Sequence, residues 1–81
     1  QEPLSSEQIA LFYRKIARKI VAERTAKGIS QLELSLAIGY KSVSLVAGAK
    51  AGYKNIHFNL EQLYRIAHAL EVDIGEFFDF E

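Results

Sequence analysis

Residues 28–45 read GISQLELSLAIGYKSVSL, and this stretch decides the fold. Ser30-x-x-Glu33 is a capping box, in which the serine hydroxyl accepts from the Glu33 amide and the glutamate reaches back to the serine amide. Behind it, Leu34 and Ile38 recur at the spacing of one helical face. Gly39 then stops the helix, because the turn needs a positive φ that glycine adopts without steric cost. Tyr40-Lys41-Ser42 connects to a second short apolar run centred on Leu45, with Tyr40 able to plug the angle between the helices. A short helix, a glycine and a brief connection into another helix is the spacing of a helix-turn-helix. An ordinary corner between two helices has the same spacing.

Outward from this stretch the same punctuation repeats. Ser5-x-x-Gln8, Asn59-x-x-Gln62 and Asp73-x-x-Glu76 are further capping boxes, and Gly28 is a second stop. The spacing predicts helices over about 6–27, 31–38, 42–50, 60–70 and 74–78. Ile9, Phe12, Ile16 and Ile20 form the stripe of the first, and Leu63, Ile66, Ala67 and Leu70 that of the fourth. Ile16, Ile20, Leu34, Leu45, Leu63, Ile66 and Leu70 are expected to make the central core. Strand alternation is nowhere sustained. The expectation is a single all-α domain over residues 1–81, built as a five-helix bundle.

Composition removes several function classes. The chain of 81 residues has no net charge, no cysteine and no methionine, which excludes disulfides, thiol chemistry and a thiolate metal site. His57 and His68 lie too far apart for a metal-ligand pattern. No Ser/His/acid set and no phosphate-binding glycine loop is present, so an enzyme, a cofactor and a metal are not expected. The uncharged apolar stretch Ser42–Ala49 is too short to cross a bilayer, and no signal peptide opens the chain. A cytoplasmic protein without a membrane partner is expected. Charge is nonetheless uneven: Arg14, Lys15, Arg18, Lys19, Arg24 and Lys27 stand against Glu23 alone. From residue 61 onward, Arg65 stands against Glu61, Glu71, Asp73, Glu76, Asp79 and Glu81. A neutral total therefore leaves room for one basic face.

Gly28-Ile29-Ser30-Gln31, Leu34, Gly39, Leu45, Leu63-x-x-Ile66-Ala67-x-Ala69-Leu70-x-Val72 and Phe77-Phe78 occur in that order over residues 16–78. This ordered set resembles the Cro and phage-repressor-type (XRE) helix-turn-helix family. The resemblance implies five helices, a third helix that enters the major groove, a second across the backbone, and dimers reading palindromic half-sites. It implies a DNA-binding transcriptional regulator, most readily a repressor. Carried over residue by residue, Gln31 is a phosphate contact at the start of the second helix. Lys41, Ser42, Val43 and Ala47 project at bases, Lys41 reaching a guanine or a phosphate and Val43 a thymine methyl. Lys50, Lys54, Asn55 and His57 follow the backbone from the loop, and Ser44 is kept small against the second helix.

The departures are specific. The family's helix-3 glutamate, partner of the arginine that stands here as Arg24, is replaced by Ala49. Arg24 must then find another acceptor, stay in solvent or contact DNA. Gly48 replaces a bulky apolar residue and costs about 1 kcal/mol in a helix interior. The connection to the fourth helix is longer than usual, and Glu71 stands where glycine is favoured. Between Ser42 and Ala49 there is no Arg, Gln or Asn for a bidentate base contact. A protein-interaction module, as in the family's antitoxins and adaptors, therefore stays open beside DNA binding. The tail Phe77, Phe78 and Phe80 and the long first helix through Leu11, Phe12 and Tyr13 are candidate surfaces for a homodimer.

Overall fold

Short polar side chains set where the helices begin. In the computed structural model, which describes residues 2–51 and 57–80, α1 runs Ser6–Ala26, α2 Gln31–Ala37, α3 Ser44–Ala51 and α4 Leu60–Leu70. A 3-10 turn over Ile74–Phe78 follows, and no strand occurs among the described residues. The chain is all-helical. Ser5, Ser30 and Asn59 each close a reciprocal capping box with Gln8, Glu33 and Gln62, at 2.7–3.1 Å.

The predicted box at Asp73 does not form, and the fifth element is not an α-helix. The Glu76 amide donates instead to the Asp73 carbonyl at 3.0 Å, the i→i+3 bond of a 3-10 turn, which leaves the Asp73 side chain no cap to make. The third helix also starts later than its predicted residue 42. The Ser42 hydroxyl lies 3.1 Å from the Ser44 hydroxyl and 3.4 Å from the Ser44 amide. That local bonding competes with a helical turn, and the first helical bond runs from the Ala47 amide to the Val43 carbonyl.

Helix ends are closed by one repeated device. After α1, Gly28 takes φ +68° and the Ile29 amide returns to the Arg24 carbonyl at 3.0 Å. After α2, Gly39 takes φ +96° and the Tyr40 amide returns to the Ser35 carbonyl at 2.9 Å. After α4 the left-handed position falls on Glu71, at φ +59°, and the Val72 amide returns to the Ala67 carbonyl at 3.0 Å. The Lys27 ammonium, from the end of α1, also donates to the Leu70 carbonyl and places a cation at the α4 C-terminus.

These fixed ends turn the apolar stripes toward one centre. Ile16 and Ile20 of α1, Leu34 and Ile38, Val46 and Ala49 of α3, and Leu63, Ile66, Ala67 and Leu70 of α4 are buried with Phe58 and Phe77. Leu45, predicted for this centre, is only partly buried against it, and Val46 and Ala49 take the inward face of α3 instead. Ile9 and Phe12, predicted for the inner stripe, are 44% exposed, because α1 runs on past the end of the core. Phe77 is fully buried, so cutting the chain before it removes core and does not merely free a tail.

Glu71 shows where the sequence strains its own fold. A side chain in the left-handed region costs about 1–2 kcal/mol, and glycine relieves it. Glu71→Gly is expected to raise unfolding stability by about 1 kcal/mol in urea titration. A lower stability would mean that the Glu71 side chain makes a contact worth more than the strain.

Candidate nucleic-acid interface

The connection between α2 and α3 is held at both ends. Gly39 leaves α2 at a φ that an L side chain rarely adopts, while the space around its missing Cβ is open. Its requirement is therefore conformational and not one of packing. Beyond it, the Tyr40 hydroxyl lies 2.6 Å from the Gln62 side-chain amide of α4. Tyr40 remains 39% exposed, so it fastens the turn by its hydroxyl more than it fills the angle between helices.

This turn presents Lys41, Ser42 and Val43 to solvent ahead of α3. None of the three lies on the helix itself, contrary to the predicted start, for the local Ser42–Ser44 bonding already described. Ser44 is exposed as well, and does not sit packed against α2. On α3, Ala47 and Gly48 are half-buried and Lys50 is exposed. Gln31, the first residue of α2, is half-buried beside the Ser30 cap. Next to it the Glu33 carboxyl is held below the usual carboxylate range, first by the Ser30 backbone amide and then by the Ser30 hydroxyl. Lys54 and Asn55 lie outside the described residues.

Gln31 and Lys50 do come together. Both line a cavity of about 10 Å³ with Arg24, Val46 and Phe58. Arg24 is only 8% exposed, and its Nη1 donates to the Ile29 carbonyl at 2.8 Å. It has thus found another acceptor, a backbone one, in place of the missing glutamate. Its Nε is buried with no hydrogen-bond partner among the described residues. A buried guanidinium nitrogen without a partner is costly, and a space of this size holds one water at most. The missing glutamate at Ala49 was the sequence signal for this site; its burial was not legible. Lys41, Ser42 and Val43 do not line this cavity.

His57 is stacked on Tyr13 of α1, with rings 3.8 Å apart and 8° from parallel. That contact ties the start of α4's approach to α1. It was not legible beforehand, because the two residues belong to no shared pattern.

Comparison with known proteins adds no relative: no family model matches the chain, and neither a curated protein nor a solved structure matches it.

The turn itself is testable. Gly39→Ala is expected to destabilise the protein by about 1–2 kcal/mol in urea titration, from the left-handed penalty alone. An unchanged midpoint would show that the connection relaxes freely and does not fix the two helices.

Proposed function

We propose that the chain is a DNA-binding transcriptional regulator, a repressor in the simplest case, acting as a homodimer. In this reading α2, the glycine turn and α3 work as a helix-turn-helix within a five-helix, phage-repressor-like bundle, the short last element being the 3-10 turn. The observation that carries it is the exposed polar surface at the α2–α3 turn, where Lys41, Ser42 and Val43 project from a connection fixed by Gly39. The resemblance in sequence order supports it independently.

The surface separates grip from reading. Gln31, Lys41 and Lys50 supply groups for phosphate oxygens, and phosphate contacts set register without carrying sequence information. The same phosphate role is proposed for Lys54 and Asn55. The Ser42 hydroxyl can accept from or donate to a base edge, and the methyls of Val43 and Ala47 suit a thymine methyl. Half-burial shortens the reach of Ala47. With no bidentate side chain on α3, discrimination between bases is modest and falls on DNA shape.

A second reading has its own observation. Along α3 the exposed Ser44 and the half-buried Ala47 and Gly48 are small and neutral, and a protein partner can approach them closely. An antitoxin-like or adaptor module would use the same turn to present that face.

Salt titration separates the two. Binding to random duplex should weaken steeply with salt, and Lys50→Ala should flatten the slope by about one unit, as loss of one phosphate contact requires. Val43→Ala should keep the slope and change preference at one base pair by about 1–3 kcal/mol at most. Absence of salt-sensitive binding to any duplex at low ionic strength would overturn the DNA reading in favour of the protein-binding one.

A further inference from the structure

The N-terminal half of α1 carries an apolar surface that the core does not use. Leu4 is 68% exposed and Leu11 39%, and they line an open groove with Gln8, Phe12, Lys15 and Phe80. Phe12 stacks on Phe78 and meets Phe80 edge-on, at centroid distances of 6.3 and 5.8 Å. The Lys15 ammonium lies 5.4 Å from the Phe80 ring centre, so its stem runs along the groove wall. This aromatic cluster fixes one edge of the groove. Soluble proteins seldom expose contiguous apolar surface of this kind without a partner.

Charge along the helix says which partner and in which direction. At 3.6 residues per turn, Leu11 and Lys15 lie about 40° apart, centred about 140° round from the core-facing Ile16 and Ile20, and Leu4 precedes the helix, which begins at Ser6. A helix laid on the line between Leu11 and Lys15 meets the groove with the two protein bodies on opposite sides. Flanking the line on one side are Glu7, then Arg14 and Arg18, all exposed. Acid precedes base along the chain. A parallel copy would set this flank against the opposite one, where Lys15 and Lys19 put cation beside Arg14 and Arg18.

An antiparallel copy does the opposite. About a two-fold axis through Leu11, each flank faces its own counterpart, so Glu7 of one copy meets Arg14 and Arg18 of the other, twice over. Leu11 meets Leu11 at the centre. We infer that the exposed face of α1 around Leu4, Leu11 and Phe12 is a dimer interface, occupied by the same segment of a second copy running antiparallel. It shares no residue with the α2–α3 surface and does not depend on the DNA-binding reading.

The test reads mass alone, on the full chain. Sedimentation equilibrium should give a concentration-dependent dimer. Leu11→Glu, which sets two carboxylates together at the axis, should raise the dissociation constant at least about tenfold, since like charges juxtaposed in an interface are strongly repelled. Glu7→Arg and Arg14→Glu should each weaken the dimer by about tenfold, and the two together should recover most of that loss. All three substituted positions are on the surface, and urea midpoints of the variants within their monomeric state confirm that they fold. A wild-type chain that stays monomeric at millimolar concentration overturns the inference. So does a dimer indifferent to Leu11→Glu, or one that the paired charge exchange fails to restore.

Discussion

Every element in this protein is held against one small apolar centre. Leu34 from α2, Ile66 and Leu70 from α4, and Phe77 from the 3-10 turn are fully buried there. Interiors packed this closely have few voids to absorb a change, so the position of each helix follows from the others. α4 contributes most, through Leu63, Ile66, Ala67 and Leu70 on one stripe. With α2 fixed by Leu34 and Ile38, the turn at Gly39 determines where α3 can lie. The exposed residues ahead of α3 are thus positioned by a core they do not touch.

The parts legible in the sequence are those governed by local chemistry. Ser5, Ser30 and Asn59 cap through bonds within three residues, and Gly28 and Gly39 take backbone angles that few other residues accept. Such features need no knowledge of the rest of the fold. Asp73 failed because a 3-10 turn satisfies the same amide with a backbone carbonyl, and sequence spacing cannot distinguish the two. The start of α3 failed because a serine pair, Ser42 and Ser44, competes with the helix over one residue pair. Ile9 and Phe12 have core spacing but lie where α1 has run past the buried centre, Phe12 meeting only the C-terminal Phe78 and Phe80 beside its neighbour Tyr13. Phe58 entered the core with no periodic signal at all, since it precedes a helix and belongs to no stripe.

The candidate site shows the same division. That Gln31, Lys41, Ser42, Val43 and Lys50 occupy the α2–α3 region followed from their place in the chain. That Gln31 and Lys50 share a small cavity with a buried Arg24, while Lys41 to Val43 stand apart, depends on how α1 crosses α3. A neutral chain can serve a charged partner in this way. Its basic residues are concentrated in α1 and around α3, and its acids gather in the C-terminal segment. α3 has no Arg, Gln or Asn for a bidentate base contact, so the proposed DNA-binding role would rest on grip more than on reading.

The central claim is that the surface at the α2–α3 turn is where a nucleic acid is held. Amide chemical shifts recorded while a short random-sequence duplex is added at low salt test it most directly. The account predicts perturbations confined to the start of α2 at Gln31 and to residues 41–55, with Leu4, Leu11 and Phe12 unmoved. Perturbations centred on α1 or the C-terminal segment, or none at any position, would contradict it.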